Sequence, residues 1–88
     1  MNPQAEPLRI VVAQRGWVFV GRVSQDGDSV VISDAKCIRR WGTQKGLGQL
    51  AANGPQSSTI LDETGTVRMH ALSIVAQIDC AEEKWNTK

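Results

Sequence analysis

The sequence lacks three features that would define common classes of protein: a long apolar run, a cluster of metal-binding side chains, and an excess of charge of one sign. No apolar run approaches the ~18–20 residues that a membrane-spanning helix needs, and residues 1–7 do not have the pattern of a secretory signal. Ten Lys and Arg against nine Asp and Glu give a net charge of +1. Proteins that grip a polyanion over their whole surface carry a large basic excess. We therefore expect a cytoplasmic protein with, at most, a local basic patch.

Histidine and cysteine are too scarce for most catalytic or metal chemistry. The only histidine is His70, and the two cysteines, Cys37 and Cys80, are far apart in the sequence. These three residues cannot fill a tetrahedral zinc site by themselves. Neither cysteine lies in a glycine-flanked nucleophile turn, so both are interpreted as buried thiols in a reducing compartment. The sequence therefore predicts a protein that is not an enzyme and needs no cofactor and no metal.

The patterning is mainly that of β-strands in one domain. Eighty-eight residues suffice for a single small core. We predict a flexible tail at 1–7, one domain at 8–80 and a charged tail at 81–88. The predicted fold is a small, strongly bent antiparallel sheet or SH3-like barrel of five to six strands, with one short helix at about 46–53.

Local signals place the elements of this sheet. Asp26-Gly27 between two β-type runs predicts a hairpin, because glycine adopts the positive φ that the turn needs. A glycine within a strand, Gly21, predicts a bend or the close approach of another backbone. A long third strand is expected to kink near Asp34. A further turn is expected at Arg15-Gly16. A strand at Ser57–Leu61 is expected to be followed by a turn at Glu63–Gly65 and a returning strand at Thr66–Met69. The buried face of the last strand is expected to carry Leu72, Ile74, Ala76, Ile78 and Cys80.

One segment has the composition of a ligand-binding site. The run from Lys36 to Gly54 combines four cations, one tryptophan and a glycine-rich approach to a short helix. Arginine forks bind phosphate in a bidentate way, and a tryptophan ring stacks on a base. The candidate ligand-contacting residues are Arg39, Arg40, Trp41, Lys45, Gly46 and Gln49. The alternative is a solvated basic connection in which Trp41 covers the edge of the core. Trp17 is expected in the core because it alternates with Phe19, and Trp85 is either a docking residue or simply exposed.

Two resemblances follow from these residues. Four stretches resemble a family of short phage-encoded domains of unknown function over most of residues 9–80: Gly16–Gly21, Arg39-Arg40-Trp41-Gly42, Leu47–Gly54 and Ile74–Cys80. This resemblance implies a phage or prophage origin and carries no catalytic residues.

A second, partial resemblance is to the first half of Sm-like RNA-binding barrels. It covers Val20–Val23, the turn at Gln25–Asp28, and Val30–Asp34. The N-terminal helix and the later nucleotide-pocket motif of those barrels are missing here, so the resemblance implies a bent barrel rather than RNA binding.

Three classes of function remain open. The first is a non-catalytic module that captures a small anionic nucleotide-like ligand and that we expect to be homo-oligomeric because its core is small. Such a protein could sequester a nucleotide signal of host immunity. The second is a nucleic-acid-binding barrel, which the near-neutral charge disfavours. The third is a structural or protein-interaction component of a phage.

Overall fold

The structure, a computed structural model, describes residues 6–85 and folds them around one antiparallel sheet. Two helices, seven and four residues long, accompany it. The elements are β1 (Leu8–Ala13), β2 (Val18–Asp26), β3 (Ser29–Arg40), α1 (Leu47–Asn53), β4 (Ile60–His70), β5 (Ile74–Asp79) and α2 (Glu82–Trp85). The strands lie in the order β4-β3-β2-β1-β5. The prediction of a mainly β fold with a short helix before residue 54 is confirmed.

The β2–β3 hairpin forms where the Asp-Gly signal placed it. Asp26 pairs with Ser29 across the turn. Gly27 has a φ of 62°, in the left-handed region that glycine enters without a steric penalty. The hairpin is therefore specified locally, by two residues.

Strand β3 is kinked near its middle, as predicted. Asp34 has a φ of 51°, and the pairing of β3 with both of its neighbours is irregular on either side of it. Gly21 lies opposite this kink. A Cβ atom added to Gly21 would lie 2.5 Å from Cγ2 of Ile32 and 2.8 Å from the carbonyl oxygen of Ser33. Only glycine therefore lets β2 approach the kink so closely.

The kink accompanies a curl of the whole sheet. Ile74 of β5 and Met69 of β4 pack against one apolar cluster that includes Phe19 of β2. In a flat sheet these outermost strands would lie ~19 Å apart, four inter-strand spacings. The two edges of the sheet therefore turn toward each other. Strand pairing within residues 6–85 does not join β4 to β5, so full closure into an SH3-like barrel is not confirmed.

The opposite face of the sheet is covered by the two helices. Leu50 and Ala51 of α1 are buried against a second apolar cluster, which also contacts Trp85 of α2. The carbonyl oxygen of Ala51 accepts hydrogen bonds from Trp85 Nε1, at 3.1 Å, and from the backbone N–H of Ala81, at 2.9 Å. Both helices are thus held by packing on the sheet and by these bonds.

The prediction of a charged tail at 81–88 is wrong as far as Trp85. The carboxylate of Glu82 accepts hydrogen bonds from the guanidinium of Arg22, at 2.7 Å, and from the backbone N–H of Leu8, at 3.3 Å. Trp85 is half-buried, so it packs within its own chain. Residues 86–88 lie outside the described residues. At the other end, the carbonyl of Pro7 accepts a hydrogen bond from Val23, while residues 1–5 of the predicted tail are likewise outside the described part.

The predicted strand–turn–strand between 57 and 69 is also wrong. β4 runs without interruption from Ile60 to His70. The Glu-Thr-Gly signal falls inside the strand, where Gly65 adopts a φ of 78° opposite Ala35 of β3. The glycine therefore permits an irregularity in pairing instead of a reversal of the chain.

Two expectations about burial fail at the same end of the sheet. Trp17 is 56% exposed rather than part of the core, and Leu72 is 81% exposed. Leu72 belongs to a tight turn at Ala71–Ser73 that precedes β5, so it does not share the inward face of that strand. These residues border the region that forms the candidate site.

Candidate ligand-binding site

The segment that the sequence singled out forms the end of β3, a loop and the first turn of α1. Arg39 is not free to meet a ligand, because its guanidinium is paired with Asp62. Its Nε lies 2.7 Å from Oδ2 and its Nη2 lies 3.4 Å from Oδ1 of that carboxylate. This hydrogen bonding and charge attraction raise the pKa of Arg39 above its usual value.

Gly46 and Gln49 of the same segment shape the loop. Gln49 Oε1 accepts a 2.8 Å hydrogen bond from the backbone N–H of Lys45, and the hydroxyl of Thr43 donates to the carbonyl of Gly46 at 2.7 Å. Gly46 has a φ of 83°, which sets the entry into α1. The polar groups of these two residues are thus used within the chain.

Arg40, Trp41 and Lys45 remain exposed on this loop. Trp41 is 43% exposed, and its backbone carbonyl accepts a hydrogen bond from Thr59. The structure shows two contacts among the six residues: Lys45 bonds Gln49, and Gly46 lies beside the Trp41 ring. None of the six lines either of the two cavities described below.

A larger cavity, hereafter the mouth pocket, opens between the β1–β2 turn and the end of β4. Its volume is about 430 Å³, within the usual range of ~300–1,000 Å³ for small-molecule sites. One wall comes from the turn and the start of β2, and the other from β4 and the turn before β5. The lining residues are Ala13, Gln14, Arg15, Trp17, Phe19, Val67, Arg68, Met69 and Ser73.

An aromatic pair forms part of the first wall. The rings of Trp17 and Phe19 are stacked with centroids 6.0 Å apart and planes inclined by 2°. They share a face because side chains two apart on a strand point the same way. Phe19 is buried at 8% exposure, whereas Trp17 is mostly exposed. A planar ligand could therefore extend the stack from the Trp17 side.

Each wall carries one arginine, and the cavity has no acidic lining residue. Among residues 6–85, ion pairs form at Arg9, Arg22 and Arg39, but none at Arg15 or Arg68. A guanidinium stays protonated in any ordinary environment. Strand alternation puts Val67 and Met69 on the face that packs with Phe19 and turns the Arg68 side chain toward the other face. The mouth pocket therefore has Arg15 on its turn and no carboxylate among its lining residues.

The position of Arg15 requires an unusual backbone. Arg15 has a φ of 67° in the turn that Gln14–Gly16 form, and the turn is closed by a 2.8 Å bond from the N–H of Ala13 to the carbonyl of Trp17. A left-handed conformation costs a non-glycine residue on the order of 1 kcal/mol. Such strain concentrates at functional sites, where it positions a side chain.

The polar residues that line the mouth pocket are Gln14, Arg15, Arg68 and Ser73. Ser73 is the only hydroxyl among them, and no lining residue is a general base. His70 lies close in sequence, but its Nδ1 accepts a 3.0 Å hydrogen bond from the backbone N–H of Leu72 and caps the turn. The arrangement can stack a ring and attract an anion.

A second cavity, of about 100 Å³, lies beside Gly21 and Trp85. Its charged lining residues are Asp34 and Lys36, one of each sign. Its volume is well below the usual range for small-molecule sites. Within residues 6–85 there is also no group of three or more His, Cys, Asp or Glu side chains that could hold a metal ion. No helix among these residues is long and apolar enough to cross a membrane.

Sequence reasoning missed the mouth pocket because its two walls are distant in the chain. Arg15 was treated only as a turn residue and Arg68 only as part of a strand. A usable local signal was the run Arg15-Gly16-Trp17-Val18-Phe19, which places a cation and two aromatics around one turn. Nothing local pairs this run with Arg68.

Comparison with known proteins adds no relative. A scan against protein-family models, a search of curated proteins and a search of solved structures each find no match. The candidate site therefore stands on its geometry and chemistry.

Proposed function

We propose that this chain is a non-catalytic binding module for a small anionic, nucleotide-like ligand, and that the ligand occupies the mouth pocket. The observation that supports this is the presence, in one cavity of about 430 Å³, of an exposed, stacked Trp17 and of Arg15, which forms no ion pair within residues 6–85. A nucleotide has the two matching parts, a planar base and a phosphate.

The chemistry of each wall supports this assignment. Stacking of a base on an aromatic side chain contributes ~1–3 kcal/mol. Guanidinium groups bind phosphate through two parallel N–H···O bonds, which are about twice as strong as neutral hydrogen bonds. Because the pocket has no carboxylate, no lining charge would repel the anion.

The exposed loop residues Arg40, Trp41 and Lys45 offer similar groups without a cavity. A site on a flat surface buries less of a small ligand than a cleft does. The mouth pocket is therefore the preferred location. Capture without turnover would suit sequestration of a nucleotide signal, because sequestration requires only tight binding.

Native mass spectrometry with a pool of linear and cyclic ribonucleotides tests the proposal. The parent protein should gain the mass of one pool member in a fixed ratio to its subunits, and the same spectra report how many subunits associate. Isothermal titration with that member should then show binding weakened by ~10-fold or more in Trp17→Leu and Arg15→Gln. Arg40→Ala and Trp41→Ala test whether the ligand binds at the loop instead of in the mouth pocket.

The variants distinguish the two locations. If only the loop variants weaken binding, the site lies at the loop and the mouth pocket is the wrong location. A parent protein that gains no mass from any pool member would overturn the ligand-binding function itself. Circular dichroism spectra of every variant should match the parent, so that lost affinity is not lost folding.

A second candidate is binding of single-stranded nucleic acid. The observation in its favour is that Trp17 is exposed at an open cavity, where a base within a chain could stack. This function predicts a gel shift with single-stranded RNA or DNA at low salt that weakens steeply as salt rises. Without such a shift, the small-ligand function stands alone.

A further inference from the structure

The outer edge of β5 is open to another strand. β5 is the last strand of the sheet and, in the part of the chain that the structure describes, pairs with β1 alone. The N–H of Cys80, directly after β5, donates to the carbonyl of Leu8 on β1. Successive residues of an antiparallel strand turn their backbone groups to opposite sides, so the N–H and C=O groups of Gln77 and Asp79 point away from β1. This edge therefore presents hydrogen-bond donors and acceptors to a partner.

The side chains in the middle of β5 are exposed and uncharged. Val75, Ala76 and Gln77 are all exposed, although consecutive residues of a strand point to opposite faces of the sheet. Both faces of the strand are therefore uncovered at its middle. From Ala71 to Ile78 the sequence has no charged residue, so nothing along this stretch would repel a second strand.

The opposite edge of the sheet is protected, which makes β5 the more favourable of the two. β4 carries exposed charged residues, among them Glu63 and Arg68, and its pairing with β3 is irregular at Gly65. Charged side chains and irregularities are the usual devices that keep an edge strand from pairing with another molecule. β5 has one irregularity, at Val75, but from Ala76 to Ile78 its pairing with β1 is regular.

We propose that a second copy of this chain pairs antiparallel with the outer edge of β5, about a two-fold axis near Ala76 and Gln77. The outward backbone groups of the two copies bond each other, so that two five-stranded sheets become one continuous sheet. The one acidic residue of the strand, Asp79, then lies opposite Ser73 or Val75 of the second copy. No like charges face each other, which would otherwise destabilise the pair.

A second copy fits this edge better than an unrelated strand does. The uncharged stretch offers no side chain with which to select a charged peptide. A domain with a core this small gains stability from association with a copy of itself. A two-fold pair also uses the β5 edge of both copies, so the assembly closes at two chains. The pairing does not depend on a ligand in the mouth pocket.

Sedimentation velocity without nucleotide, at protein concentrations from ~1 μM to ~1 mM, tests the pairing. As the concentration rises, the parent protein should approach twice the 9.6 kDa of one chain and form no larger species. A protein that stays monomeric over this range, or that forms rings or a series of larger assemblies, would overturn the proposal.

Charge substitutions at Ala76 test where the two copies meet. In a pair centred here, Ala76 lies opposite or diagonal to its own copy, so Ala76→Lys and Ala76→Glu each bring like charges together. Each variant alone should raise the dimer dissociation constant ~5-fold or more. An equimolar mixture of the two variants should associate as tightly as the parent or more tightly, because opposite charges then face each other.

Thr66→Lys is the matched control, because it places the same charge on the exposed part of the β4 edge. It should associate like the parent. If Thr66→Lys weakens association and Ala76→Lys does not, the interface lies at β4 and the proposal is wrong. If mixing the two Ala76 variants restores no association, the copies do not meet at the middle of β5, and the two-fold pairing is likewise wrong. Circular dichroism spectra of all variants should match the parent.

Discussion

Gly21→Ala tests the close approach of β2 to the kink in β3. The added methyl group would lie 2.5 Å from Cγ2 of Ile32 and 2.8 Å from the carbonyl oxygen of Ser33. Ile32 is fully buried, so its side chain has nowhere to move, and the second contact is with backbone. Overpacking of this kind costs ~1–3 kcal/mol. A loss of about 2 kcal/mol lowers the melting temperature of a domain this size by roughly 8–16 °C.

Gly48→Ala is the matched control. It adds the same methyl group within α1, where no neighbouring atom lies within 4 Å. Alanine in a helix interior is favoured over glycine by ~0.5–1 kcal/mol, so this variant should melt a few degrees higher than the parent. Thermal unfolding followed by circular dichroism measures both. If Gly21→Ala melts at or above the parent temperature, the reasoning about close packing at the kink is refuted.

Two further predictions concern ionisable groups. Burial raises the pKa of the Cys80 thiol to about 11. At pH 8 this thiol should therefore react with a thiol reagent roughly 100-fold more slowly than a thiol of ordinary pKa. If Cys80 reacts equally fast before and after denaturation, this prediction is wrong. Hydrogen bonding to Arg22 lowers the pKa of Glu82 below its usual 4.5. The carboxylate therefore stabilises the fold at neutral pH, and this contribution is lost as the pH falls through the lowered value. The stability difference between the parent and Glu82→Gln should accordingly shrink on acidification in urea titrations, and a difference independent of pH would argue against the pairing.

Features set by neighbouring residues could be predicted from the sequence. The hairpin at Gly27 depends on a turn dipeptide, and the end of α1 on Gly54, whose N–H bonds the carbonyl of Leu50 at 2.8 Å. Gly65 shows where this approach fails. Its turn signal is overridden, because pairing of β4 with the long β3 keeps the chain extended and uses the positive φ for an irregularity. The pairing of β4 with β3 therefore decides whether the Glu-Thr-Gly segment forms a turn or an irregular stretch of strand.

Depth of burial was harder to predict than the direction of side chains. Alternation correctly places Trp17 and Phe19 on one face of β2. It does not show that the curled sheet covers Phe19 and leaves Trp17 at the opening. The candidate site has the same property, since the β1–β2 turn and β4 border one cavity only through the curl. A search along the chain could find the contiguous basic segment, but not a pocket assembled from two distant stretches.

The pairing of β1 with β5 also has a kinetic consequence. The N–H of Cys80 bonds the carbonyl of Leu8, and Glu82 bonds the N–H of Leu8. During synthesis, β1 emerges from the ribosome long before its partner, and its fully buried Ile10 and Val11 have no complete core to enter until β5 has been made. Contacts so distant in sequence slow folding, because a large loop must close before they form. Before β5 is in place, the apolar side chains of β1 lack part of the core that buries them in the folded protein, and apolar surface exposed in this way promotes aggregation.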